Sequence, residues 1–307
     1  MIEVLIGSTA SGKSDLAMQV ARKTGAHILS CDSLLVYKDL NIGTAKPTVA
    51  EMKEIPHYGI NLVTADTPYT AGDYVRYARP IIDDLVAKKI PLLIVGGTGF
   101  YLKALLFGVW DAPATHPEIR TKIEKSVEEF PDEQKNKTLH DRLAVLDPAY
   151  AAKIKPNDVY RVIRALEIIE VSGKPVSEVQ STAKLLNPLP FPYRIFGIER
   201  NKEELELRIR KRMSQMFEHG LIGETKELIR KYAPKIPRSM HCVGYWEVLE
   251  HLEGRMTLEE CRERIVISTR QLAKKQMTFF KGMGAEIQWH SLPDEEDSLR
   301  RQFFSIP

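Results

Sequence analysis

Apolar runs and helical periodicities take turns along the first third of the chain. Ile2-Glu3-Val4-Leu5-Ile6, residues 26–31 (Ala-His-Ile-Leu-Ser-Cys) and Pro91-Leu92-Leu93-Ile94-Val95 are short, nearly continuous hydrophobic stretches, the pattern of strands buried on both faces. Between them lie segments with a helical repeat. One follows residue 13 and carries Leu16, Val20 and Ala21; the other covers 71–88 and sets Tyr74, Ala78, Ile81 and Leu85 at helical spacing. Buried strands alternating with helices predict an α/β fold with a parallel sheet covered on both faces.

The pattern changes after Gly108. Residues 115 to about 190 are charged and helical, with Lys122, Lys125, Lys135, Lys137 and Arg142, and they end in the extended connector Asn187-Pro188-Leu189-Pro190-Phe191-Pro192. Tyr193-Arg194-Ile195-Phe196-Gly197-Ile198 reads as a returning strand, so 115–190 is expected to be a helical insertion between a first core segment, 1–114, and a return to the core with C-terminal helices, 191–307. In the last third, residues 203–219 set Leu205, Ile209, Met213 and Met216 on one stripe. At about 100° per residue Arg212 lies roughly 20° and Arg208 roughly 60° from Leu205, so both border the buried face. Residues 269–281 place Arg270, Lys274 and Lys281 on one helical face with aromatics nearby, able to follow a phosphate backbone or simply to be solvated surface.

Composition narrows the class without choosing a function. The 307 residues are 43% hydrophobic and 28% charged, as in a soluble globular protein of about two domains. Lys plus Arg exceed Asp plus Glu by only 44 to 41, a formal charge of +3, so any nucleic-acid role rests on local basic clusters. Cys31, Cys242 and Cys261 are widely spaced, which favours neither a zinc site nor a disulfide framework and fits a reducing cytoplasm. No apolar run is long enough to span a bilayer, and the chain opens into a strand without a signal peptide.

The chemistry begins directly behind the first strand. Gly7-Ser8-Thr9-Ala10-Ser11-Gly12-Lys13-Ser14 has the G-x-x-x-x-G-K-[ST] pattern, flanked by a strand and an amphipathic helix as a phosphate-binding loop requires. Its backbone N–H groups and the helix dipole suit phosphate oxygens, Lys13 suits phosphate, and the Ser14 hydroxyl suits Mg²⁺. An ordinary strand-to-helix turn would leave Lys13 and the glycine spacing unexplained. The strand ending at Val95, however, runs into Gly96-Gly97-Thr98-Gly99 and lacks the carboxylate that helps an NTPase hold its metal. Asp32 ends the strand nearest the loop, which opens the way to a diphosphate other than ATP.

Several segments together resemble the tRNA dimethylallyltransferase (isopentenyl-tRNA transferase) family, of bacterial type. They are Gly7 to Ser14; Asp32-Ser33-x-x-Val36-Tyr37 with Ile42-Gly43-Thr44-Ala45-Lys46-Pro47; Gly96-Gly97-Thr98-Gly99-x-Tyr101; Asn157-Asp158-x-x-Arg161-x-x-Arg164-Ala165-Leu166-Glu167; Gly244-Tyr245; and Thr269-Arg270-Gln271-x-Ala273-Lys274-x-Gln276. The resemblance implies a P-loop NTPase-like core with a helical insertion that contacts tRNA. It implies transfer of a dimethylallyl group from dimethylallyl diphosphate to N6 of adenosine 37, beside the anticodon, with Mg²⁺. The enzyme is expected to be cytoplasmic and monomeric, without a membrane partner. Serine stands at positions 8 and 14 where the family commonly has Pro and Thr. Leu272, Lys275, Phe279 and Lys281 stand where it often has Tyr, Arg, Trp and Arg.

The implied reaction assigns tasks. Asp32 is expected to take the proton from N6, and Thr98 to bond the bridging oxygen or the nucleotide. The loop from Gly7 to Ser14, Lys13 and an arginine, Arg212 ahead of Arg208, would hold the diphosphate. The adenine must be extruded to reach such a site. By resemblance Asp32, Ser33, Leu34, Leu35, Thr98, Arg120, Tyr160, Arg161, Val162, Ile163, Arg164, His241, Cys242, Val243, Gly244, Tyr245 and Trp246 would touch tRNA, with Arg270 and Lys274 on its backbone. Val162, Ile163 and Val243 are equally compatible with core, whereas Arg161 and Arg164 share a face and read as surface cations. Two other functions fit a bare phosphate loop: a small-molecule kinase using ATP, and a non-catalytic RNA-binding module.

Overall fold

A computed structural model of the chain describes residues 2–304 apart from Asp111, Ala114, Lys184 and Asn187. It divides into two compact units, Met1–Phe107 joined with Pro188–Pro307, and Gly108–Asn187. The inserted unit thus starts at Gly108, ahead of the residue 115 expected from the change in texture. The first unit opens with β1 (Ile2–Gly7), α1 (Lys13–Thr24), β2 (His27–Ser30), α2 (Val49–Glu54), β3 (His57–Tyr58), α3 (Ala71–Ala87), β4 (Leu92–Gly96) and α4 (Gly99–Phe107). The second contains β5 (Val109–Trp110), α5 (Pro117–Lys125), α6 (Asp132–Leu146), α7 (Pro148–Ala151), α8 (Val159–Ser172), α9 (Val176–Thr182) and β6 (Leu185–Leu186). The chain then returns to the first unit with β7 (Tyr193–Arg200), α10 (Lys202–Glu218), α11 (Leu221–Tyr232), α12 (Tyr245–Leu252), α13 (Leu258–Lys281), β8 (Gln288–Leu292) and α14 (Glu296–Phe304).

The six strands of the first unit form one parallel sheet in the order β3-β2-β4-β1-β7-β8. β1 is central, with Val4 opposite Ile94 on one side and Ile195 on the other, and all six of its residues are buried. Glu3 is buried with them. Burial pushes its carboxyl up, and pairing with Arg194 of β7 partly offsets that cost. From β1 the chain moves outward past β4 to β2, while β7 lies on its other side, so the strand order reverses next to β1. The crevice outside the carboxyl ends at such a reversal is where open α/β sheets bind ligands.

Three details depart from the periodicity. In α3 the fully buried residue is Ile82, with Ile81 only partly covered, because Val75 and Ala78 rotate the stripe by one position. The last third is not all helix, since β8 forms an edge strand on β7 from Phe196↔Gln288 to Arg200↔Leu292. Its sequence, QWHSL, alternates polar and apolar residues because only one side of an edge strand is well covered. α14 follows and packs Leu299 and Phe303 into the core shared with α1, the Phe303 ring 4.5 Å from that of Phe196.

The second unit closes at its base, where β5 and β6 pair antiparallel. Its helices surround a core of Ile123, Val127, Leu139, Leu143, Val162, Ile163 and Leu166. Buried Asp147 joins two helix starts by accepting the Tyr150 N–H at 3.0 Å and the Ser177 N–H at 2.7 Å, satisfying amides a helix leaves open.

Candidate active site

The loop between β1 and α1 takes its shape from residues that tolerate positive φ and from cations that hold its carbonyls. Ala10 and Gly12 adopt φ of 61° and 97°. The Lys13 Nζ reaches back to the Ser8 carbonyl at 2.6 Å, Arg208 Nε donates to the Ala10 carbonyl at 2.8 Å, and Arg200 Nε to the Ser11 carbonyl at 2.7 Å. A Cβ at Gly12 would lie 3.1 Å from Arg208 Nη2 and 3.3 Å from Arg200 Nη2, so glycine lets the two guanidinium groups close on the loop. With these carbonyls held by cations, the first-turn amides of α1, which the helix leaves without partners, suit an anion.

The loop is one wall of a cleft of about 570 Å³ that also takes in Asp32, Thr44 to Pro47, Gly96, Gly97, Arg212 and Gln276. Asp32 follows β2, and the ends of β2 and β4 are stitched together around it. Cys31 N–H donates to Val95 at 2.7 Å, Thr98 N–H to Cys31 at 3.2 Å, and Ser33 N–H to Thr98 Oγ1 at 2.9 Å. Asp32 Oδ1 accepts the Leu34 N–H at 2.9 Å, fixing the carboxylate in an Asx turn. Gly96 is required here, because a Cβ would sit 2.0 Å from the Cys31 carbonyl.

The charges in the cleft act on one another. Burial pulls the Lys13 ammonium down to about 8; Asp32 opposes this and the Arg212 charge adds to it. Burial likewise lowers Arg212, with Asp32 and then Asp15 opposing. Arg212 Nη2 donates to the Thr44 carbonyl at 3.2 Å. The 41–47 segment that supplies this carbonyl is itself anchored: Glu224 accepts the Asn41 and Ile42 N–H groups at 3.1 and 2.9 Å and the Tyr245 hydroxyl, which accepts the Gly43 N–H at 3.1 Å. Lys46 donates to the Tyr37 carbonyl at 2.6 Å and to Asn61 Oδ1 at 2.7 Å.

The structure therefore gathers Lys13, Ser14, Asp32, Leu35, Arg208 and Arg212 around one cleft. It assigns several other expected residues differently. Val162 and Ile163, 0% and 5% exposed, are core of the second unit. Arg164 is not a surface cation: it pairs with the wholly buried Glu167 at 2.8 Å and donates to the Pro113 carbonyl. Tyr245 is fully buried, and Gly244 is buried with its N–H donated to Glu247 at 2.8 Å, so neither presents a side chain to a ligand. Leu34 and Val243 pack against the helical core, as does Cys242, whose thiol burial pushes up to about 12. The Thr98 hydroxyl is engaged twice with Ser33, at its N–H and its Oγ, which makes it the organiser of the Asp32 turn.

The remaining candidates are accessible. Arg161 is exposed and pairs with Asp158 at 3.4 Å; Arg120 lies 4.8 Å over the exposed Tyr160 ring; the His241 and Trp246 rings are 4.4 Å apart. On α13, Lys274 is exposed and Arg270 meets Glu206 at 3.1 Å, whereas Lys281 of the same stripe is paired with Glu199 at 2.7 Å. Arg200, Glu224 and Gln276 carry parts of the site that periodicity and motif chemistry did not single out. Gln276 stands in the motif segment 269–276 without an assigned role there, and nothing in the sequence pattern marked Arg200 or Glu224.

Known proteins resemble this chain in sequence and in fold. A model of the family described as IPP transferase matches residues 35–283, and one described as isopentenyl transferase matches 1–63. The chain is 36% identical over 297 residues to the tRNA dimethylallyltransferase of Geobacter sulfurreducens, covering 96% of this chain and 93% of that one. It is 39% identical over 295 residues to that of Trichormus variabilis, covering 95% of each. Among solved structures it resembles the full-length tRNA isopentenylpyrophosphate transferase of Bacillus halodurans, with TM-score 0.69 and 30% identity over 99% of this chain and 94% of that one. It also resembles a eukaryotic dimethylallyltransferase acting on tRNA, with TM-score 0.76 and 28% identity over 98% of this chain and 76% of that one.

Proposed function

The chain belongs to the tRNA dimethylallyltransferase family, and from that premise we propose how its residues move a dimethylallyl group from dimethylallyl diphosphate to N6 of the adenosine beside the tRNA anticodon, releasing diphosphate. The observation that carries the assignment of roles is the meeting of a phosphate loop and the carboxylate that follows β2, Asp32, in a single cleft with Lys13 and Arg212. The N6 lone pair is delocalised into the adenine ring and is a poor nucleophile. As N6 bonds to the allylic carbon, the bond from that carbon to the diphosphate oxygen breaks, and the N6 proton passes to Asp32, whose Oδ1 is already fixed by Leu34. The charge that builds on the departing diphosphate is met by the first-turn amides of α1, Lys13 and Arg212, all in place before the reaction.

Mg²⁺ fits this arrangement. Ser14 is exposed to the cleft at the start of α1, and no group of three or more His, Cys, Asp or Glu among the described residues forms a cage of its own. A hard cation that keeps waters and takes substrate oxygens suits a site offering one hydroxyl. Mg²⁺ held by Ser14 would supply additional neutralisation of the diphosphate charge.

For tRNA we propose Arg120, Tyr160 and Arg161 in the second unit, and Ser33, Leu35, His241, Trp246, Arg270 and Lys274 in the first, on the strength of their exposure and the family resemblance. We take a monomer as the working unit. Three free cysteines, two of them buried, accord with a reducing cytoplasm, and no described helix is long and apolar enough to cross a membrane. Incubation with radiolabelled dimethylallyl diphosphate and unmodified tRNA tests the reaction: label is expected in the adenosine next to the anticodon. Label in no nucleotide, or phosphate transfer from ATP to a small molecule, would overturn it.

A further inference from the structure

Helix α13 turns its charges outward and one amide inward. At about 100° per residue Gln276 lies roughly 160° from exposed Lys274, roughly 40° from Phe280 and roughly 60° from Ala273; the last two are 1% and 2% exposed. The buried side of the helix thus carries a polar side chain, and both ends of its amide are used. Oε1 accepts the Thr9 N–H of the phosphate loop at 2.7 Å, and Nε2 donates to the Gly97 carbonyl after β4 at 3.0 Å. Gly97 admits it only by lacking a Cβ, which would stand 2.6 Å from Nε2.

We infer that Gln276 is a positioning residue that fixes the phosphate loop against the turn between β4 and α4. It thereby sets the separation between the amides that hold the diphosphate and the corner of Thr98 and Asp32 where N6 must arrive. Two consequences follow from its chemistry. The Thr9 N–H is spent on Gln276 and is not a phosphate ligand, unlike the first-turn amides. Moreover, the position calls for a neutral group that accepts and donates at once, which glutamine provides; an ionised glutamate only accepts, and methionine does neither to useful effect. The catalytic part of this inference rests on the prenyl-transfer reading, whereas the tie itself does not.

Gln276→Met, of similar length, separates the two. Amide exchange at Thr9, followed by NMR without substrate, should accelerate in Gln276→Met and stay protected in Gln276→Glu, which keeps the acceptor. Gly97→Ala should accelerate it from the opposite side by displacing the amide. In turnover assays kcat/KM for dimethylallyl diphosphate should fall by about 10- to 100-fold in Gln276→Met, the cost of a misplaced reacting group, with the Kd for tRNA unchanged. The inference is overturned if Thr9 exchange in Gln276→Met matches wild type, if kcat/KM is unaltered, or if tRNA affinity is lost while the diphosphate parameters stand. Should Gln276→Met not fold, Thr9 exchange in Gly97→Ala that matches wild type overturns it just as well. A wild-type enzyme that transfers no prenyl group would overturn the assigned reaction and leave the exchange pattern in place.

Discussion

The Thr98 hydroxyl accepts the Ser33 N–H at 2.9 Å across a sequence separation of 65 residues, and this bond sets where Asp32 stands. Asp32→Asn should therefore lower kcat by about 10²–10⁴-fold, the usual worth of a general base, with tRNA affinity intact. Thr98→Ser keeps the acceptor and should stay near wild type; Thr98→Val should fall between. Rapid-quench turnover beside filter binding reads both quantities, and a wild-type kcat in Asp32→Asn would remove its role.

Arg208 and Arg212 are not equivalent. Arg208 spends its Nε on the Ala10 carbonyl and its side chain is 38% exposed, whereas Arg212 lies sunken beside Asp32 and Lys13. Arg212→Gln should cost about 10²–10³-fold in kcat, as for loss of a preorganised group at a developing charge. Arg208→Gln should cost about tenfold, near 1.4 kcal/mol. Steady-state kinetics with saturating tRNA would show the order; a reversed order would exchange the two assignments.

Lys13 gives the free enzyme a titration that diphosphate can sense. Burial holds its ammonium down to about 8, so it is charged below that pH and neutral above it. An anion prefers the charged form, so affinity for dimethylallyl diphosphate should fall as pH rises through 8, and binding near pH 8 should take up a proton. Calorimetry in buffers of different ionisation enthalpy measures the uptake. Lys13→Met should abolish it. Lys46, also lowered to about 8 by burial, is committed to Tyr37 and Asn61, and Lys46→Gln should leave it in place.

Tyr245 anchors the loop that supplies the Thr44 carbonyl to Arg212 and has no surface for tRNA. Tyr245→Phe should cost about 1–3 kcal/mol of stability by leaving buried partners unsatisfied, with the Kd for tRNA in the folded protein unchanged. Chemical denaturation and binding at low temperature test the two halves separately; weaker tRNA binding at unaltered stability would return the residue to the interface.

Salt dependence sorts the cations that sequence grouped together. Alanine at exposed Arg161, Arg270 or Lys274 should reduce the slope of log affinity against log salt by about one, the mark of a neutralised phosphate. Arg164→Ala should leave the slope alone and cost about 3–5 kcal/mol of stability, because Glu167 would keep a buried, uncompensated charge. Unchanged slopes for the first three would make them solvated surface.

Features that depend only on neighbours along the chain can be read without the fold. The strand before the phosphate loop and the helix after it, the stripe of α10 and the position of Asp32 at a strand end were all legible, since backbone periodicity and turn glycines are local requirements. The alternating pattern of β8 carried too little apolar signal to mark a strand, because an edge strand acquires its character only from the sheet that it joins. Tertiary structure alone decided which polar groups are spent. Arg161 and Arg164 share one helical face, yet only the second meets a buried carboxylate; Arg208 and Arg212 border one stripe, yet only one lies beside Asp32. Gln276 and Glu224 reach backbone amides 267 and 182 residues away. Such partners are set by where the folded chain brings a donor within hydrogen-bond distance of an acceptor, a condition that no periodicity encodes.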